Sequence, residues 1–299
     1  MSLRLGTLKK KPKANRAGSL SLTATLRILL VICIFVAAAI GLVFLDAHLK
    51  RVGPVSEKTG FLELVNAPLW INQDLKEKIY AAATAGGQNL KLDEDAARSV
   101  QSNLERQVAW LQKIRARTTH DRILVEADYR KPIALIKQGL RRFYVDAEMV
   151  VLGFVPIPDL PIVRVKGLGP IMRIPREGEV WQQDDLAAAV AILTRLDRMD
   201  QLVTPDKPLL YEIDNINVSN FRGRQSNRAP HIILYAKDNT EIIWGAEIGA
   251  WSQHLEAKDE QKLARLYNYY KQCGSLLGGA RYINLRDPVG NIPLPVDRY

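Results

Sequence analysis

Eighteen consecutive residues, Ile28 to Leu45 (ILLVICIFVAAAIGLVFL), carry neither a charge nor a strongly hydrogen-bonding side chain. At a rise of about 1.5 Å per residue such a helix is about 27 Å long, close to the roughly 30 Å hydrocarbon core of a bilayer. The pattern predicts one membrane-spanning helix over 28–45, with Arg27 snorkelling at one end and Asp46 closing the other. A cleaved signal peptide is the alternative. Its apolar run is usually about 7–15 residues, and Leu45-Asp46-Ala47 makes a poor cleavage site.

Behind the span the pattern becomes that of a folded chain. Residues 46–58 are polar, contain Gly53-Pro54 and read as a juxtamembrane linker. Phe61 to Val65 suits a strand that Pro68 ends. Asn72 is placed as an N-cap before Leu75, Ile79 and Ala83 at helical spacing, and Gly86-Gly87 closes that helix. Asp93 to Val108 predicts a second helix, its acidic first turn (Asp93, Glu94, Asp95) favouring the helix dipole. Gln112 to Thr119 alternates as a strand, His120-Asp121 turns, and a further strand starts at Ile123. The order strand-helix-helix-strand-strand defines a small domain over 59–130.

From Lys131 short strands alternate with Gly and Pro. Arg142 to Leu152 reads as two strands about an Asp146-Ala147 turn, and Asp159 to Pro170 as a loop. Asp184 to Met199 is an amphipathic helix with Leu186, Val190, Leu193 and Leu196 on one face. Leu209 to Val218 alternates as a strand. Lys237-Asp238-Asn239-Thr240 joins two further strands as a hairpin, and Asp259 to Gln272 is a second helix. Tyr282 to Leu285 is the final strand, after which Pro288, Pro293 and Pro295 oppose further pairing. The fold class is α+β: a larger, mainly antiparallel β domain over 131–287 with helices on one side, then a tail over 288–299.

Charge fixes the orientation. Arg4, Lys9, Lys10, Lys11, Lys13, Arg16 and Arg27 precede the span without one acidic residue, so residues 1–27 are expected in the cytoplasm and the rest on the far side. Without these seven, the 42 basic residues fall to 35 against 32 acidic ones, no footprint for a phosphate backbone, and nucleic acid is excluded as a partner. The tail suits anionic lipid headgroups. Cys33 lies in the apolar run and Cys273 stands alone outside it, so no intramolecular disulfide is expected in the exported part. No Cys/His spacing suits a metal, and no cofactor is expected.

The chain offers little catalytic machinery. His254 lies near Ser252 and Glu247 in sequence, but no G-x-S-x-G turn surrounds the serine. Asp184 and Asp185 are adjacent and, on a helix, would not face one site. Gly167-Leu168-Gly169 lacks the third glycine of a dinucleotide loop. Tyr267, Tyr269 and Tyr270 read either as a binding patch or as residues half in the core. The chain is expected not to be an enzyme.

Four stretches carry a resemblance. Val125 to Ala134 (VEADYRKPIA) looks like V-x-E-R-x-P-x-A with extra residues between Glu126 and Arg130. Phe143 to Val150 looks like an lvD-x-x-G-x-v hairpin, with Glu148 in the glycine position. Leu160 to Gly167 looks like L-P-x-x-x-G, two residues longer, and Tyr282 to Arg286 (YINLR) like a terminal iDLR strand with Asn284 for Asp. In this order, behind a basic tail and one span, they resemble the bacterial cell-division family FtsQ/DivIB.

The resemblance implies a POTRA-like domain followed by a β domain whose last strand offers an open edge. It implies a divisome scaffold of the cytoplasmic (inner) membrane at the septum, recruiting septal membrane proteins through its periplasmic or extracytoplasmic domains. The expected partners are the small single-span coiled-coil proteins FtsB and FtsL, captured by β-strand addition. Partner contacts would fall on Tyr282, Asn284, Arg286 and Gly290, with Arg286 suited to a partner carboxylate. Ile283 and Leu285 read better as sheet filling. Two alternatives stand beside this reading: an envelope secretion or assembly adaptor with a POTRA-like module, and a membrane-anchored cell-wall hydrolase working around His254.

Overall fold

The structure is a computed structural model; it describes residues 61–85, 94–171 and 173–289, together with Leu30. The basic tail, the apolar run beyond Leu30, the linker and everything from Gly290 onward lie outside the described residues. Among the described residues no helix is long and apolar enough to cross a membrane.

The first elements are β1 (Phe61–Val65), α1 (Gln73–Ala83), α2 (Glu94–Gln107), β2 (Leu111–Thr118) and β3 (Arg122–Tyr129). Asn72 caps α1 as expected: its backbone is extended and its side-chain oxygen accepts from the Leu75 N–H at 3.0 Å. The three strands form a sheet in the order β1-β3-β2, with β1 parallel and β2 antiparallel to β3. Helical and strand periodicities then converge on one core. Leu75 and Ile79 of α1, Val100 and Leu104 of α2, and Ile123 and Val125 of β3 are fully buried together.

The second sheet has eight strands: β4 (Pro132–Gln138), β5 (Arg141–Asp146), β6 (Val151–Gly153), β7 (Val163–Lys166), β8 (Ile213–Asn217), β9 (Ile232–Ala236), β10 (Glu241–Gly245) and β11 (Tyr282–Asn284). Their order is β11-β10-β9-β8-β7-β4-β5-β6. Four of the seven pairings are antiparallel and three parallel, so the sheet is mixed rather than mainly antiparallel. The stretch expected to be a loop, 159–170, contains the central strand β7, parallel to both neighbours. A four-residue strand is too short to show a period, yet Val163 and Val165 are buried while Arg164 and Lys166 are exposed. The expected strand over 209–218 begins only at Ile213. Asp200 accepts from the Leu209 and Leu210 N–H groups at 2.8 and 2.9 Å and folds that segment into a 3-10 turn.

Helices α3 (Asp184–Val203) and α4 (Asp259–Cys273) share one buried cluster with one face of this sheet. Tyr267, Tyr269 and Tyr270 belong to that core, and the single proton of the Tyr267 hydroxyl serves Asp200 Oδ1 and the Leu196 carbonyl oxygen, both acceptors lying at 2.8 Å. Among the described residues the opposite face is covered only at the β4–β6 end. There Leu135, Tyr144 and Leu152 alternate away from the helices and join the first core, with Tyr144 edge-on to Trp110 at 6.0 Å. The two sheets therefore share a core through β5 and β6. From β7 to β11 no described residue covers that same face.

Candidate functional site

Strand β11 is one end of the eight-stranded order. It runs parallel to β10, with Tyr282 beside Glu241, Ile283 beside Ile242 and Asn284 beside Ile243. Ile283 and Leu285 are fully buried, filling the sheet as their types suggest, whereas Tyr282 is 52% exposed and Asn284 is exposed. Glu241 N–H donates to Arg281 O, and Leu285 N–H to Ile243 O. Main-chain groups alternate along a strand, so those of Tyr282 and Asn284 face away from β10. The open edge is thus two residues long. It closes at Arg286, whose carbonyl accepts from the Ala257 N–H at 2.7 Å.

Arg286 itself turns inward. Its Nε donates to Glu256 Oε1 at 2.7 Å, while the other oxygen of that carboxylate accepts from Lys262 Nζ at 2.7 Å and from the Ala246 N–H at 3.0 Å. Glu256 and Lys262 are buried, Lys262 completely, with its ammonium 5.3 Å from the Trp244 ring centre. Burial alone would raise the Glu256 pKa, but the donors from Lys262 and Ala246, the Lys262 charge and Arg286 outweigh it and hold it below the usual carboxylate range. Gly245 makes the close approach possible: at φ 96° it adopts the left-handed region, and a Cβ there would stand 2.2 Å from a Glu256 oxygen. Arg265 adds donors to the Asp287 and Pro288 carbonyls. Three separate segments thereby fix the chain just beyond β11.

The described residues around His254 do not place Ser252 against its imidazole. Ser252 and His254 are exposed on a turn, and among the described residues no hydrogen bond joins them. His254 instead packs edge-on against His231, ring centres 4.6 Å apart. His231 Nδ1 lies 3.8 Å from Glu247 Oε2, and both atoms are buried without a hydrogen-bond partner among the described residues. Burial, and then the neighbouring His254, lower the His231 pKa. Arg222 bridges Glu247 to Asp184, while Asp185 turns to the Gly169 N–H and Arg224, so the adjacent aspartates serve different partners. Among the described residues no group of three or more His, Cys, Asp or Glu side chains could hold a metal ion.

Of the residues expected to meet a partner, Tyr282 and Asn284 stand on the open edge, Arg286 is engaged within the fold, and Gly290 lies outside the described residues. The Glu256–Lys262 pair escaped the reading of the sequence. One signal was present: Lys262 falls on the apolar stripe of α4, four residues before Leu266. No family model matches the chain, and no curated protein is similar enough to match it.

Proposed function

We propose that this chain is a non-catalytic scaffold of the bacterial division septum, of the FtsQ/DivIB kind, anchored by the apolar segment 28–45 with its folded part outside the cytoplasm. The observation that carries the reading is the position of β11: a short C-terminal strand at a sheet edge, with the main chain at Tyr282 and Asn284 facing outward. Such an edge captures an extended segment by strand addition, and side chains next to Tyr282 set the choice of partner. The partner class is small single-span coiled-coil division proteins such as FtsB and FtsL.

Further support comes from the first domain. Its strand-helix-helix-strand-strand order, with β1 parallel to β3, suits a POTRA-like module. Two of the stretches that carry the resemblance also meet in space: Arg130 of Val125–Ala134 pairs with Asp146 of Phe143–Val150. The hydrolase alternative draws less support, since His254 stacks on His231 rather than serving Ser252.

A fluorescent fusion of the full chain, expressed in its own cells in place of the native copy, tests the reading. The fusion should gather at the division site, and depletion of the protein should leave cells growing without dividing. An even distribution around the envelope with normal division would overturn it.

A further inference from the structure

On the open face of the sheet, about four strand spacings from β11 and so roughly 20 Å away, lies a cleft of about 840 Å³. Strands β4 and β7 form its floor, and segments 167–171 and 219–225 form its walls. A volume of this order lies in the range of ligand sites. Its lining includes Lys137, Arg164, Lys166 and Arg224 and no acidic residue.

Two of these cations are already matched. Arg164 donates to Asp214, and Arg224 donates to Asp185 and to the Gly167, Val218 and Ser219 carbonyls. Arg224 therefore fixes the wall as a preformed surface. Gly169 lets it do so, since a Cβ there would stand 2.2 Å from the guanidinium.

Lys137 and Lys166 form no hydrogen bond or ion pair with another described residue, although Asp214 feels the Lys166 charge, and both lysines are exposed. The parallel register pairs Ile136 with Val165, which sets these lysines side by side one residue further on. Arg142, beside the cleft and not part of its lining, lies opposite Lys137 on β5, its guanidinium 3.8 Å from the Phe154 ring centre. Three cations thus form one row across three adjacent strands, with no acidic residue between them. Like charges directly opposite one another destabilise a sheet unless an anion sits among them.

From this arrangement we infer that the cleft binds an acidic peptide segment of another protein in an extended form. The row spreads positive charge over about 10 Å, two strand spacings, rather than converging on one point as a free phosphate would require. Beside the cationic floor, one wall presents Leu168, Pro170 and Ile171, a surface suited to apolar side chains flanking carboxylates. Gln138, Ser219 and Gln225 can serve peptide groups. Residues 1–45 hold no acidic residue and residues 288–299 only Asp297, so neither segment suits the cleft. The site is separate from β11 and does not depend on the septal reading.

Fluorescence anisotropy on the full-length protein in mild detergent tests the inference. The probe is a labelled heptapeptide alternating Glu with Leu or Val, compared with its glutamine counterpart. K137E/K166E should weaken binding of the acidic peptide at least about tenfold, and K137Q/K166Q should weaken it less. The charge-matched control R198E/K271E, exposed on α3 and α4, should leave it unchanged, and melting curves should show all variants folded. Equal binding of the glutamine peptide, or equal loss in the control, would overturn the proposal. So would tight binding of inorganic polyphosphate where the acidic peptide fails to bind.

Discussion

Arg130 Nη1 lies 2.6 Å from Asp146 Oδ2, a pairing in which both side chains are largely buried and which ties the end of the first domain to the first hairpin of the second. The same nitrogen reaches exposed Glu148 at 2.7 Å, and Asp146 Oδ1 accepts from the Glu148 and Val150 N–H groups. One carboxylate therefore shapes the β5–β6 turn and holds the chain where it passes from β3 into β4. Hydrogen bonds and charge from Glu148 and Asp146 outweigh burial and raise the Arg130 pKa, consistent with an engaged guanidinium.

Asp146→Ala should destabilise the fold by about 3–5 kcal/mol, because it leaves Arg130 without its buried partner and two turn N–H groups without an acceptor. Glu148→Ala should cost less than about 1 kcal/mol, since that carboxylate is mostly exposed. Urea unfolding of the two variants checks the contrast. Equal losses would show that Asp146 does not hold the junction.

The Glu256 network has a pH signature. Glu256 has a folded pKa below its ordinary 4.5, so its contribution is full above that value and is lost as the pH falls through the folded pKa. Thermal melts between pH 7 and 3 should show wild-type stability dropping on the acid side, with a shallower drop in Glu256→Gln. At pH 7 the same substitution strands fully buried Lys262 and should cost about 3–5 kcal/mol. Arg286→Glu would set a second carboxylate against Glu256, and should unfold the region rather than report on partner contacts.

His231 acts at higher pH and with the same sense. Its folded pKa lies below the ordinary 6.5, so the unfolded chain takes up the proton first and stability falls as the pH drops below about 6.5. His231→Gln should flatten the melting temperature between pH 7 and 5. An unchanged slope would show that the His231–His254 contact does not govern this window.

How far the fold could be read depended on how local each signal was. Asn72 and the apolar spacing behind it, the run from Leu186 to Leu196, and the Lys237–Thr240 hairpin all carry their reasons within a few residues, and the structure places them accordingly. Strand β7 could not be read so, because the five residues between Pro161 and Gly167 hold too little pattern, and its parallel neighbours lie far away in sequence. That distance also explains why the sheet is mixed where short connections suggested antiparallel pairing. At the candidate edge the burial of Ile283 and Leu285 followed from residue type. The capture of Arg286 by Glu256 did not, since it joins segments 30 residues apart through a buried lysine. The cationic row is non-local in the same way: Lys137 and Lys166 meet only through the register of β4 and β7.

The most direct measurement is a pull-down of the full-length chain, solubilised from its own cells, beside its Asn284→Pro and Asn284→Ala variants. The Asn284 N–H faces away from β10, so proline removes an edge donor without breaking the sheet's own ladder, and alanine controls for the lost side chain. Wild type and Asn284→Ala should retain small coiled-coil membrane proteins, and Asn284→Pro, folded by its melting curve, should lose them. Retention by all three would contradict capture at β11, and retention of no such protein by the wild type would contradict the scaffold itself.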